Sequence, residues 1–330
     1  MREGKFISKN KERWEEYLNP TNDPDELAKR FVCLIDDLGY AKTHYPGSGT
    51  TKYLNGIAAN IYLSIYKDRK ERSNRLKHFA GTELPLIMYR NRKTLLATFL
   101  FFIIFMTVGI FSSWQDQTLV RTVLGEAYVD MTLENIQSGD PFKIYKDSNP
   151  FSMFLQITFN NIRVTFTLFF SGLFLSLGTI YILFNNSLML GVFEQMFFAH
   201  NLGAASILAV FIHGTLEISG LIIAATAGIV LGNSIIFPGT YSRAQSLVRG
   251  AKDGIKIIIG LIPIFITAGF FESYVTRYYD RMPVWLNVLI LIGSLAFILF
   301  YFVYYPQRVA NKIRKELSLP SPYSYTEEWL

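Results

Sequence analysis

Residues 204–236 read AASILAVFIHGTLEISGLIIAATAGIVLGNSII, an almost wholly apolar stretch that contains His213 and Glu217. It is longer than the roughly 20 residues that a helix needs to cross a hydrocarbon core about 30 Å thick. A charged side chain at the centre of such a core costs about 2.5–3.5 kcal/mol, so protein or water must cover it. Residues four apart share a helix face, and we therefore expect both side chains to face one covered interior.

The composition extends this interpretation to the whole chain. Half of the 330 residues are hydrophobic, and several further apolar runs approach the length of a membrane span. The short alternating segments of a transmembrane barrel are missing from the sequence. We predict an all-α, polytopic helical membrane protein with about five or six passes and an N-terminal cytoplasmic helical domain.

Positive charge is concentrated before the first apolar run, because 18 of the 32 Lys and Arg residues precede Thr94. Such residues mark the cytoplasmic flanks of membrane helices and attract anionic lipids. We therefore expect cytoplasmic N- and C-termini, contact with membrane lipids and no nucleic-acid partner. The polar first residues predict no signal peptide, and the single cysteine, Cys33, allows no disulfide within one chain.

The order of polar and apolar segments predicts three parts. Residues 1–92 form a cytoplasmic helical domain that ends in an interfacial helix, and residues 307–330 form a cytoplasmic tail. Between them, residues 93–306 form a transmembrane bundle that includes a polar outer segment, 115–150, with one or two short amphipathic helices. The charge run from Lys67 to Lys77 suits a solvated helix end, with contact to lipid phosphates as the alternative.

The path of the chain before His213 is ambiguous. Spans are predicted at 95–114, 164–183, 257–271 and 285–304. Residues 187–213 form either an interfacial helix before one long helix or part of a broken, re-entrant pair, which requires cover by protein or water. Basic flanks favour six passes, or four spans plus a re-entrant hairpin at 187–233. Five passes remain an alternative that places the basic tail outside.

His213 and Glu217 are the first candidates for a functional site. A neutral histidine can donate to a carboxylate and orient it, which suits a proton or cation relay, a substrate contact or a subunit contact. The structural alternative is a hydrogen bond that joins two helices. Two acidic residues are further candidates: Glu194, in apolar surroundings, and Glu272, near a predicted span end. The asparagines near predicted span ends either cap helices or form hydrogen bonds across helices: Asn160, Asn161, Asn185 and Asn186.

The small residues after His213 predict close helix packing. Gly228 and Gly232 have the small-xxx-small spacing that lets helix backbones approach each other, either inside the protein or at a dimer seam.

Enzyme motifs are missing from the sequence. His-Glu-x-x-His does not occur, the turn at residues 47–51 lacks the lysine of a Walker loop, and there is no nucleophile elbow. We therefore expect no enzymatic activity, no metal and no cofactor.

Three sequence elements together resemble the stage II sporulation protein M family. They are Asn185-Asn186-Ser187 with Gly191, His213-Gly214 followed by Glu217 and a Gly/Ala-rich helix, and Phe271-Glu272 at the end of a later span. Residues 34–41 and 53–55 are similar to the N-terminal part of its longer, non-sporulation members. The resemblance implies a bacterial inner-membrane protein without its own enzymatic activity. In spore formers the family couples a membrane protein to peptidoglycan-cutting enzymes.

The resemblance also implies which residues matter for function or assembly. By position they are Asn186, Gly191, His213, Gly214, Glu217 and Glu272.

Two functional hypotheses follow. The first is a non-enzymatic inner-membrane scaffold or complex subunit in the cell envelope, which forms a homo-oligomer and engages envelope proteins. The alternative is a small-molecule or ion transporter or channel with a polar intramembrane site at His213 and Glu217. A transporter needs a water-reachable cavity that converges on Glu217, whereas in a scaffold protein partners should saturate this pair.

Overall fold

The computed structural model describes residues 1–19, 21, 23–67, 75–146 and 149–317. Every regular element in these ranges is helical, which confirms the predicted all-α class. The chain divides into two compact units, residues 1–76 and 77–330. Most of the Lys67–Lys77 charge run and the end of the predicted tail, residues 318–330, lie outside the described ranges.

Within residues 1–67, the described part of the first unit forms three helices around their own apolar core. The side chain of Asp23 accepts a hydrogen bond from the backbone N–H of Asp25, which caps the second helix at its first turn. Asp37 joins the first two helices, since its carboxylate accepts from Arg13 at 2.6 Å and from Trp14 at 2.8 Å. The helices are α1 (Glu3–Glu16), α2 (Pro24–His44) and α3 (Gly49–Lys67).

A short helical elbow at the start of the second unit packs on residues 300–305, near the end of the described part of the chain. The hydroxyls of Tyr301 and Tyr305 donate to the carbonyls of Ala80 and Gly81 at 2.8 and 3.1 Å. The two compact units divide after Leu76, within the first helix of this elbow. The elbow comprises α4 (Arg75–His78), the π-helical turn Phe79–Glu83 and α5 (Leu84–Arg90).

Six long helices form the body of the second unit. Five helical segments are long and apolar enough to cross a membrane: Arg92–Gln115, Leu177–Ala199, Gly203–Ile236, Arg243–Tyr278 and Val284–Lys315. In chain order the helices are α6 (Arg92–Gln115), α7 (Thr118–Leu124), α8 (Glu126–Gln137), α9 (Pro150–Ser171), α10 (Leu177–Ala199), α11 (Gly203–Ile236), α12 (Arg243–Phe270), α13 (Val284–Leu299) and α14 (Tyr305–Leu317).

The sixth long helix, α9, is not one of these five segments, and it packs against α10, α11 and α12. It lies parallel to α11, because Asn161 bonds to Glu217 and Gly172 touches Gly228, both 56 residues further along the chain. We call the end of the bundle that carries Arg92 the basic end, and the end that carries α7 and α8 the opposite end.

Two predicted segments are wrong. The predicted span 164–183 is interrupted by a tight turn, because α9 ends at Ser171 and α10 begins at Leu177. Residues 187–199 complete α10 instead of forming an interfacial or re-entrant helix. A three-residue turn, with Asn201 at φ 60°, then leads into the unbroken helix α11.

Close packing explains why α11 is rich in glycine. A Cβ atom on Gly228 would lie 2.4 Å from the carbonyl oxygen of Leu168, and one on Gly232 would lie 2.1 Å from Ser176 Oγ. The predicted small-residue contact is therefore confirmed, and it joins α11 to the α9–α10 hairpin of the same chain.

The predicted outer segment contains the short helices α7 and α8, which pack on the opposite end of α10. Val120, Val129 and Phe142 share an apolar cluster with Met196 and Phe197.

Candidate functional site

The central helix places His213 and Glu217 one turn apart in the opposite-end half of the bundle. His213 is buried, with 4% of its surface exposed. Its Nδ1 atom lies 2.9 Å from the hydroxyl of Thr276, and its Nε2 atom lies 3.8 Å from a carboxylate oxygen of Glu272. Glu217 instead accepts a hydrogen bond from the Asn161 amide at 2.5 Å. The acidic neighbour of the imidazole is thus Glu272, whereas the sequence suggested Glu217.

Glu272 reaches this position because α12 ends in a π-helical turn, Phe271–Val275. A π-helical turn inserts an extra residue per turn and redirects the side chains that follow it, and such turns are frequent at functional sites. It brings Glu272 and Thr276 to the same side of α12, toward α11. One ligand-type atom from each of His213, Glu217 and Glu272 lies within 4.8 Å of the other two. We call these three residues the polar cluster.

The chain before α9 covers the polar cluster at the opposite end. The ring of Tyr145 packs edge-on against His213, with centroids 5.5 Å apart. Arg277 donates to the backbone carbonyl of Tyr145 at 3.1 Å, and Lys146 bridges Asp140 and Asp280 at 3.0 Å each. These contacts fix Tyr145 over the imidazole.

The Lys146 bridge is charged at neutral pH. Partial burial acts to lower the pKa of Lys146, but its hydrogen bonds to Asp140 and Asp280 outweigh burial and raise that pKa above its ordinary value.

Two cavities meet at the polar cluster. The first, about 280 Å³, lies between α6, α9, α10, α11 and α12 and includes Asn186, His213 and Gly214 in its wall. The second, about 340 Å³, is lined by Gln156 and Glu272 among others. Both cavities share Asn160, Asn161 and Glu217. Because Gln156 and Asn160 are exposed on α9, the second cavity reaches the surface of the bundle.

Comparison with known proteins agrees with this architecture. The sequence model of the stage II sporulation protein M family matches residues 98–277, which is more than half of the chain. The chain belongs to the stage II sporulation protein M family. The matched range contains the whole polar cluster and ends one residue after Thr276. Residues 4–67, which form the three-helix unit, match a domain of unknown function, DUF8413. No curated protein and no solved structure matches the sequence.

In this member of the stage II sporulation protein M family, the residues implied by the resemblance fall into two groups. Asn186, His213, Gly214 and Glu217 line the first cavity, and Glu272 lines the second. Gly191 instead lies where α10 touches α6, because a Cβ atom there would lie 2.1 Å from the carbonyl oxygen of Met106. This glycine permits close packing between the two helices.

The four asparagines lie inside α9 and α10, so the expectation that they cap helix ends is wrong. Asn161 bonds across helices to Glu217, and Asn160 lines both cavities. Asn185 and Asn186 each donate to a carbonyl one turn earlier in their own helix, at 2.8 Å.

Glu194 is buried on α10, close to Ser206 at the start of α11, and is separate from the polar cluster. Its carboxylate forms no hydrogen bond within standard geometry in the described part of the chain.

Sequence reasoning missed Thr276 and Tyr145. Their partner His213 is more than 60 residues away in each case, and neither residue stands out from its polar neighbours in the sequence.

Proposed function

We propose that this stage II sporulation protein M family member binds a small cation or a proton at the polar cluster and conducts it through the membrane. The observation that carries the proposal is the convergence of two cavities on Glu217. A pair that served only to join two helices would need no such space, since protein partners would surround it.

The charges around the cavities favour a cation over an anion. Glu217 and Glu272 contribute two carboxylates, and none of the described residues that line either cavity is Lys or Arg. Away from bulk water, two neighbouring carboxylates repel each other unless a proton or a cation lies between them. The amide side chains of Asn160 and Asn161, which line both cavities, can form hydrogen bonds with the water molecules around a hydrated ion.

Flux measurements on the purified chain in liposomes test the proposal. Entrapped pyranine reports proton movement under an imposed potential, and entrapped calcein reports entry of Mn²⁺. We expect wild type to exceed empty vesicles with at least one probe, and Glu217→Gln to fall to the empty-vesicle rate. Glu194→Gln is the matched control, because it neutralises a buried carboxylate outside the cluster, and it should conduct like wild type. If wild type moves neither probe faster than empty vesicles, the proposal fails.

We propose, as a second candidate function, that the chain is a subunit of a membrane assembly and contacts a second copy of itself through α2. On this helix Val32 and Ile35, three residues apart, are 60% and 43% exposed. They lie on one face of a unit that already has its own core, so their exposure is not required for folding. A photo-crosslinking residue at Val32 should yield a product that contains two copies of the chain, whereas one at Lys11 on α1 should not. Monomer alone at both positions would contradict this candidate.

We propose a bacterial inner-membrane location with the basic end in the cytoplasm. The ion pairs Arg90–Asp253 and Glu83–Lys256 bring positive residues from distant parts of the chain to this one end. The positive-inside rule assigns such an end to the cytoplasm. Fusions that report topology at both termini should then fluoresce as cytoplasmic GFP and show no periplasmic phosphatase activity, and the reverse pattern would overturn the orientation.

A further inference from the structure

In the tautomer that carries its proton on Nδ1, the His213 ring has one nitrogen without a hydrogen-bond partner. When Nδ1 carries the proton, it donates to Thr276 Oγ1 at 2.9 Å, and the Nε2 lone pair then faces a Glu272 oxygen at 3.8 Å. Two acceptors at this distance do not attract each other, and the gap between them is too long for a hydrogen bond. An imidazole lone pair and a carboxylate oxygen that face the same point are arranged as metal ligands are.

The donor atoms of the polar cluster are close to the spacing that a metal ion requires. With bonds of about 2.0–2.2 Å, ligand atoms around a tetrahedral ion lie about 3.3–3.6 Å apart. Here the ligand atoms of His213, Glu217 and Glu272 all lie within 4.8 Å of one another. Metal binding would therefore draw the two glutamate side chains closer to the imidazole.

The charge of the cluster also matches a dication. Two carboxylates and a neutral imidazole carry −2, so a divalent ion makes the buried site neutral, which lowers the cost of placing it inside a membrane protein.

Neighbouring residues support the ligands as they do in established metal sites, where a ligating histidine donates its second N–H to an acceptor and ligating carboxylates are themselves hydrogen-bonded. Thr276 Oγ1 can accept the second N–H of His213, and the Asn161 amide donates to Glu217 Oε1. Three protein ligands leave at least one coordination position open, and the cavities at Glu217 provide space for water there.

We propose that His213, Glu217 and Glu272 bind one divalent transition-metal ion of the zinc and manganese class. An imidazole with two carboxylates suits these ions, whereas Mg²⁺ and Ca²⁺ prefer oxygen ligands alone. The sequence suggested no metal because it lacks His-Glu-x-x-His, but these ligands come from two helices that are distant in sequence. The inference does not depend on conduction, since a bound ion can be permanent.

Equilibrium binding to the full-length chain tests the proposal, with a purification tag that contains no histidine. The chain in nanodiscs is titrated separately with Zn²⁺ and Mn²⁺ against a chromogenic chelator, and bound metal is counted by mass spectrometry. We expect one ion per chain for wild type and at least a tenfold weaker affinity for Glu272→Gln and for Thr276→Val, which removes the acceptor behind the imidazole. Glu194→Gln and His200→Asn should bind as wild type does.

Co²⁺ in place of Zn²⁺ supplies a readout that needs no variant. Its visible absorption distinguishes a site with nitrogen and carboxylate ligands from ions held by water alone. Wild type without stoichiometric binding, a cobalt spectrum of the hydrated ion, or a folded Glu272→Gln with wild-type affinity would each overturn the proposal. Because no gradient is involved, metal binding can fail while flux is present, and flux can fail while metal binding is present.

Discussion

The two halves of helix α11 pack against α9 in opposite ways. Near the basic end, the backbone of Gly228 lies against Gly172, so α9 and α11 touch without side chains between them. Near the opposite end, Asn161 and Glu217 stand between the same two helices. The two helices run parallel, and residues that face each other are 56 positions apart in the sequence at both places. The size of the facing side chains therefore sets the distance between the helices. Both cavities at Glu217 lie where these polar side chains separate the helices.

The largest expected effect comes from adding one methyl group to the closely packed half. In Gly228→Ala the new Cβ would lie 2.4 Å from Leu168 O and 2.5 Å from Thr179 Oγ1, so backbone must move. Overpacking of this kind costs about 1–3 kcal/mol. Thermal unfolding in detergent, followed by tryptophan fluorescence, should show a clearly lower midpoint.

The matched control is Gly214→Ala in the cavity half. Its Cβ would meet nothing closer than Val210 Cγ1 at 3.6 Å, and alanine favours a helix over glycine by about 0.5–1 kcal/mol. The midpoint should stay unchanged or rise. Equal destabilisation by both substitutions would show that the two halves do not differ in packing.

A second, intermediate effect concerns water. Ile218 lines the first cavity, whereas Leu231 is 2% exposed and belongs to the apolar core. A cysteine must become a solvated thiolate to react with a methanethiosulfonate reagent. In a Cys33→Ser background, Ile218→Cys should therefore react much faster than Leu231→Cys. Both changes replace a large side chain with a small one, so loss of packing is matched. Equal rates, measured by mass shift over time, would contradict a hydrated cavity half.

Hydropathy predicted the membrane class and most helices, but it could not locate the turn between α9 and α10. Ser171, Gly172 and Ser176 lie at the turn, but the apolar residues around them keep the mean hydropathy of the stretch high, so hydropathy alone does not show the break. Leu175 and Ser176 adopt left-handed conformations, with φ of 54° and 66°, which sequences usually assign to glycine. The predicted span 164–183 crossed this turn because the tertiary contact of Ser176 with Gly232, and not local preference, holds it.

Helix periodicity predicted which two residues share a face, whereas polar context and the family resemblance named Asn161 and Glu272 as candidates without placing them beside that pair. The four-residue spacing placed His213 and Glu217 on one face, and that placement is correct. Glu272 lies beside this pair because of a π-helical turn, which has no established sequence signature. Asn161 contacts Glu217 because α9 packs parallel to α11, and the sequence does not show which residues of the two helices face each other. Glu194 had the same apolar context as Glu217, but its helix directs it toward Ser206. Context alone therefore does not separate a shared site from an isolated buried acid.

The smallest effect belongs to a partly exposed ion pair at the basic end, away from both halves of the comparison. Glu83 accepts from Lys256 at 2.7 Å, and this hydrogen bond holds the pKa of Glu83 below its ordinary value, with a further contribution from His78. The side chains are 34% and 42% exposed, so solvent screens the pair and its contribution stays below about 1 kcal/mol.

The direction of the pH dependence of this pair follows from that lowered pKa. The folded chain binds the Glu83 proton less readily than the unfolded chain does, so the stabilisation is complete above the unfolded carboxyl pKa of about 4.3. It disappears as the pH falls through the lower folded value. The difference in unfolding midpoint between wild type and Glu83→Gln should therefore be small at pH 7 and vanish in acid. A Glu83→Gln effect larger than that of Gly228→Ala would mean that surface charge, and not the contact between α9 and α11, dominates the stability of this bundle.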